Sequence, residues 1–159
     1  MTASRSRAIV MLAGLIAAAA FHEAPAASNP VYDSTCALCH QTAGAGLKGQ
    51  FPRLAGRVDR MAADPEARAF VIHTVLHGLA GEIEVDQTSI KGVMPSFETL
   101  SDKDLASVLN YLISLGGTAA RKVKPIAPSE IAAVRSRPRL SSAQVHEQRA
   151  SLVAAGRIP

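Results

Sequence analysis

Both cysteines of this 159-residue chain fall within five residues, Cys36-Ala37-Leu38-Cys39-His40. That spacing admits four chemistries. A disulfide between Cys36 and Cys39 would close a very small loop and add little as a cross-link, because the stabilisation grows with the length of loop closed. A redox dithiol needs Cys-x-x-Cys at the start of a helix that follows a strand; here the preceding residues have helical spacing, and no strand–helix–strand alternation occurs anywhere. A structural zinc site needs four ligands, and His73 with His77, four residues apart, offers half of one, but His40 directly after Cys39 is then without a role. The fourth chemistry is covalent haem, for which Cys-x-x-Cys-His is the attachment signature. Two thiols add to the two vinyl groups along one edge of the porphyrin, and the next residue projects over the ring to the iron.

A second iron ligand would discriminate between these readings. Beyond the N-terminal segment the thioether candidates are Met61 and Met94, and the imidazole candidates are His73, His77 and His146. Met94 stands in Gly92-Val93-Met94-Pro95-Ser96-Phe97, far downstream of His40, where Gly92 and Pro95 brace a loop that can fold over the opposite face of a ring. A solitary methionine is ordinarily a gap-filler of the core; the loop setting and the shortage of aromatic side chains favour ligation instead. Met61 lies in a polar stretch before a helix and reads as surface or packing. His73 and His77 read as helix residues satisfied by hydrogen bonds or solvent. A His/Met pair keeps iron six-coordinate and raises its potential, which suits electron transfer rather than oxygen chemistry.

The elements that must position these groups are helices and long loops. Val31, Tyr32, Thr35 and Cys39 share one helical face, with Asn29 as N-cap and Pro30 in the first turn. A Gly-rich stretch broken by Pro52 reads as loop. Asp64-Pro65-Glu66 opens a helix carrying Phe70, Val71, Thr74 and Val75 on one face and ending at Gly78 or Gly81. Residues 80–97 read as an extended loop, with a tight bend at Gly92 and no helix before Pro95. Ser101 caps the clearest helix, in which Leu105, Val108, Leu109 and Leu112 form an apolar stripe. After Gly117 the composition turns basic, with two short helices expected from Ser129 and Ser141. The expectation is an all-α fold of three to five helices plus this basic tail.

Bulk properties bound the class. Met1 to Ala27 runs from Arg5 and Arg7 through an apolar stretch to small residues, the layout of a secretory signal peptide, with Ala24-Pro25-Ala26 fitting a cut after residue 26. The expected organisation is therefore a signal peptide over 1–26, a body over 27–117 and a basic extension over 118–159, the mature protein being exported. Residues 27–116 carry seven Lys/Arg against ten Asp/Glu, whereas 117–159 carry eight against two. A mildly acidic body with a basic tail points to an interaction arm, docking an acidic partner or an anionic membrane surface, or an exposed linker around Arg135, Arg137 and Arg139. Tryptophan is absent and aromatics make up 4% of the chain, so no aromatic-interleaved basic patch exists and nucleic acid is not an expected partner.

Taken in order, YDSTCALCH, GQFPRLAG, VLHGLAGEI, KGVMPSF and the LSDKDLASVLNYL helix resemble a class I c-type cytochrome of the exported bacterial kind, over about residues 30–116. The resemblance implies one haem c bound by Cys36 and Cys39, with His40 and Met94 as the iron ligands. It also implies that the Pro52 carbonyl accepts the other N–H of His40, and that Tyr32 and Tyr111 meet where the first and last helices of the body cross. Such a protein is a periplasmic carrier of single electrons and not an enzyme, and its partners are redox proteins: a dehydrogenase, an oxidase or another cytochrome. Glu82, Glu84 and Asp86 stand where the best-known eukaryotic members are rich in lysine; Lys48 and Lys91 could border the haem edge.

Overall fold

A computed structural model describes residues 28–159; the expected signal peptide and its cleavage point lie outside the described residues. Asn29 caps the first helix, α1 (Pro30–Thr35), its side-chain oxygen accepting from the Tyr32 N–H at 2.9 Å. Cys36 keeps right-handed helical dihedrals and leads straight into α2 (Ala37–His40). Between the Gly-rich loop and the helix expected from Asp64 lies a further helix, α3 (Val58–Ala63), which has no side-chain cap. Burial of Val58 and Ala62 holds it, so tertiary packing rather than a local signal makes this helix. Asp64 then caps α4 (Pro65–His77), accepting from the N–H groups of Glu66 and Ala67 at 2.9 and 3.0 Å.

Residues 80–97 are not a loop. Leu79–Val85 (β1) and Thr88–Met94 (β2) form an antiparallel hairpin whose register runs from Leu79↔Met94 to Val85↔Thr88. The alternation of Ile83 and Val85 with Glu82 and Glu84 is a period-two strand pattern. Asp86 and Gln87, both at positive φ (50° and 59°), supply the two-residue turn whose twist suits a hairpin. Gly92 makes no bend; it lies in β2 opposite Gly81. The fold is therefore mostly helical with one β-ribbon, not purely α.

Ser101 caps α5 (Asp102–Ser114), accepting from the Asp104 N–H at 3.1 Å, and Leu105, Val108, Leu109 and Leu112 are all buried. Tyr32 and Tyr111 pack where α1 meets α5, their ring centroids 5.0 Å apart at 52°. The Tyr32 hydroxyl donates to the Gln41 carbonyl at 2.7 Å, and its burial raises its pKa to about 12.

The basic extension packs onto the body. It forms α6 (Pro128–Arg135) and α7 (Ser142–Ala154), the latter longer than expected and capped by Ser141 with Gln144. Ile126, Ile131, Val134, Val145, Leu152 and Ile158 are buried in the same apolar cluster as the α4 and α5 cores. Asn110 clasps Ile126 in both directions, donating to its carbonyl at 2.9 Å and accepting from its N–H at 2.8 Å. The Arg68 guanidinium forks onto the Glu130 carboxylate with two bonds of 2.8 Å. Arg135 bonds Asp102 and the carbonyls of Glu98 and Leu100, and Arg157 bonds Asp64. Much of the charge asymmetry between body and tail is thus satisfied inside the molecule. Of the three arginines read as an exposed linker, Arg137 and Arg139 are exposed and Arg135 is half-buried. Among the described residues no helix is long and apolar enough to cross a membrane.

Candidate functional site: a cleft between His40 and Met94

His40, the last residue of α2, is only 7% exposed. Its Nδ1 lies 2.9 Å from the Pro52 carbonyl oxygen. A carbonyl can only accept, so Nδ1 carries the proton and Nε2 keeps its lone pair. Burial lowers the His40 pKa, partly opposed by the bond to Pro52, and holds the ring neutral, the form that ligates metal. The loop that delivers Pro52 is tied back to the same helix end: the Gly46 N–H donates to the His40 carbonyl at 2.9 Å, and the Leu54 N–H donates to Gly44 at 2.8 Å.

Cys36 and Cys39 are half-buried and not bonded to each other. Burial, with a smaller contribution from Cys39, pushes the Cys36 thiol up to about 11. Dithiol redox chemistry needs the reverse, a depressed pKa and an accessible thiolate. The disulfide and dithiol readings therefore lose support.

Two adjoining cavities, about 90 and 260 Å³, share Cys36, His40, Met94 and Phe97 in their walls. The smaller is lined by apolar side chains of α3, α4 and α5, among them Val58, Phe70, Val71 and Leu109. Leu54, Val58 and Met61 belong to this wall, which sequence reasoning missed because α3 was not anticipated. Their i, i+4, i+7 spacing was the available signal. Met61 is half-buried against the core, as its packing reading expects.

Met94 ends β2, and the backbone around it is gripped by the end of α4. Gly78 terminates α4 at φ 78°, and a Cβ there would stand 2.5 Å from the Met94 carbonyl oxygen. Only glycine permits both the dihedral and the approach. The Ser96 hydroxyl donates to the Leu76 carbonyl at 2.6 Å, and the Phe97 N–H donates to Val75 at 2.9 Å.

His73 and His77 depart from expectation. Each is 8% exposed, their ring centroids are 5.5 Å apart, and neither His73 Nδ1 nor either nitrogen of His77 has a hydrogen-bond partner among the described residues. Three of their four ring nitrogens are therefore neither solvated nor hydrogen-bonded among the described residues. Burial lowers both pKa values, assisted at His73 by His77 and Arg137 and at His77 by Arg139. Among the described residues no three His, Cys, Asp or Glu side chains converge to share a metal ion, so this pair does not complete a zinc site with the cysteines. His146, the remaining imidazole candidate, lies on α7 with Nε2 donating to the Glu82 carbonyl at 2.7 Å.

The donor set fits haem c. A histidine Nε2 lone pair is freed by the bond at Nδ1, two unpaired sulfurs precede it, one at the cap of the same short helix and one within it, a thioether shares the cleft, and the walls are apolar. Comparison with known proteins agrees. Residues 23–112 match the family described as cytochrome C oxidase, cbb3-type, subunit III. Cytochrome c-552 of Thermus thermophilus is 39% identical over 119 residues, covering 74% of this chain and 90% of that protein. The cytochrome c subunit of alcohol dehydrogenase (quinone) from Gluconobacter oxydans is 33% identical over 88 residues, 54% of this chain and 17% of that protein. The fructose dehydrogenase cytochrome subunit of Gluconobacter japonicus is 30% identical over 112 residues, 65% of this chain and 21% of that protein. The chain belongs to the class I c-type cytochromes. It is an electron carrier or the electron-transfer subunit of an oxidoreductase, not itself a catalyst.

Proposed function

We infer that this chain is an exported, single-haem cytochrome c that carries one electron at a time from a periplasmic or membrane-bound dehydrogenase to a terminal acceptor. Cys36 and Cys39 form the two thioethers, His40 and Met94 are the iron ligands, and Pro52 fixes the His40 ring by accepting its Nδ1 proton. The signal peptide is cut after residue 26, the body spans 27–117, and 118–159 is an extension appended to it. One observation carries this reading: both cysteines, His40 and Met94 line one cleft while the proton of His40 is committed to Pro52.

The bound haem iron supplies a one-electron couple whose ligands do not change between oxidation states. The protein's own residues do the rest. Burial keeps His40 neutral, and the Pro52 carbonyl orients its ring and raises its basicity. The apolar walls exclude water and lower the local dielectric around the iron. Leu38 and Val93, 86% and 76% exposed, line the larger cavity and leave that edge of the cleft open to a redox partner. The names of the two Gluconobacter relatives, both subunits of dehydrogenases, support a dehydrogenase as donor. A pyridine haemochrome assay with intact mass on protein purified from the periplasm tests the reading. One c-type haem on a chain that begins at Ala27 is expected; a haem-free chain would refute it.

A further inference from the structure

The hairpin that ends in Met94 is poorly anchored by apolar packing. Ile83, Val85 and Ile90 form a small cluster of their own, separate from the main core, with Leu79 beside it. A two-stranded ribbon by itself is marginally stable in water, so other contacts must set its position. At the turn, Asp86 is held by Arg53 at 2.9 Å and by Arg57 at 3.2 Å. Along the strand, the unpaired edge of β1 is taken up by α7. His146 Nε2 donates to the Glu82 carbonyl at 2.7 Å, and Arg149 donates to the Glu84 carbonyl at 2.8 Å. Those carbonyls are two residues apart and therefore lie on the same edge, facing away from β2. The His146 ring lies directly over Gly81, where a Cβ would stand 2.6 Å from its Cδ2.

These bonds reach Met94 through the ladder. Glu82 pairs with Lys91 and Leu79 pairs with Met94, so a displacement of β1 carries β2 and its terminal residue with it. The adjoining face of α7 is fixed by buried Val145 and Leu152 in the main core, and α7 packs on α4 as well as on β1. The end of α4 in turn grips Met94 through Ser96 and Gly78. Met94 is held from two sides by one scaffold.

We propose that α7 belongs to the iron-ligand apparatus: His146 and Arg149 are positioning residues that hold the hairpin where Met94 can ligate. The C-terminal extension then sets how firmly the thioether stays on the iron, and not only the stability of the fold. This rests on the reading of Met94 as a ligand.

The test uses full-length holoprotein with His146→Ala, Arg149→Ala, His146→Gln (which keeps an N–H donor) and Ile131→Ala, a cavity variant that loosens α6 without touching the hairpin. The ferric methionine–iron charge-transfer absorption is followed against pH, with amide hydrogen exchange of β1 and β2 in parallel. Loss of one bond from a charged donor should raise the Met94-detached fraction about tenfold at fixed pH in Arg149→Ala. His146→Ala should behave similarly, and His146→Gln should recover most of the difference. Exchange in the hairpin should quicken in the alanine variants, while Ile131→Ala lowers the melting temperature and leaves absorption and hairpin exchange unchanged. Wild-type absorption and exchange in both alanine variants, or equal changes in Ile131→Ala, would overturn the proposal. If Met94→Ala keeps the wild-type absorption, the ligand reading has failed, and hairpin exchange alone then decides the bracing.

Discussion

His40 gives its Nδ1 proton to the Pro52 carbonyl across 2.9 Å, and that one bond settles which ring nitrogen is free to face the cleft. The bond also raises the basicity of the free nitrogen, which favours ferric iron. Pro52→Ala should loosen the loop, weaken the bond and raise the reduction potential by tens of millivolts; about 59 mV corresponds to a tenfold change in a one-electron couple. Spectroelectrochemistry of the holoprotein checks this, and an unchanged or lowered potential would contradict it.

The cleft is walled largely by apolar residues, Phe70 and Phe97 among them. Haem-free chain carrying Cys36→Ser and Cys39→Ser should therefore lack native packing, since small domains with incomplete cores depend on their cofactor. Far-UV and near-UV circular dichroism would show reduced helix content and no fixed tertiary signal; native spectra would refute this.

The extension is joined to the body by the Arg68–Glu130 fork, whose Arg68 side chain is 12% exposed. Arg68→Ala leaves Glu130 without its partner and also loses bonds to the Lys124 and Pro125 carbonyls. A loss of about 2–4 kcal/mol in denaturant unfolding is expected, between the effects of a charged hydrogen bond and of a broken buried pair.

Acid should act in two windows. The bond to Arg68 lowers the Glu130 pKa from 4.5 to about 2. A depressed carboxylate contributes stability above its unfolded pKa and loses it as pH falls from about 4.5 toward 2. His73 and His77 have pKa values lowered from 6.5, chiefly by burial. The unfolded chain binds protons first, so their contribution falls as pH drops below 6.5. Stability should therefore rise with pH through both regions and fall as acid is added. His73→Gln with His77→Gln should flatten the upper one and Arg68→Ala the lower one.

Local signals carried much of the fold and the candidate site. Asn29, Asp64 and Ser101 each cap the helix expected of them, because a cap is a contact within a few residues of sequence. Cys36, Cys39 and His40 were legible for the same reason. The hairpin was misread because its turn uses Asp86 and Gln87 at positive φ with no glycine to announce it. α3 was missed because it has no cap and depends on tertiary burial. The docking of 118–159 was hidden because its charges suggested an exposed arm. Their partners, Asp64, Glu66, Glu98 and Asp102, are scattered through the body and become neighbours only on folding.

Carbon monoxide binding to the reduced holoprotein tests the central claim most directly, that His40 and Met94 together close the iron to external ligands. At neutral pH the wild-type protein should resist carbon monoxide, whereas Met94→Ala should bind it at once. Immediate binding by the wild-type protein at the rate of Met94→Ala would contradict the account.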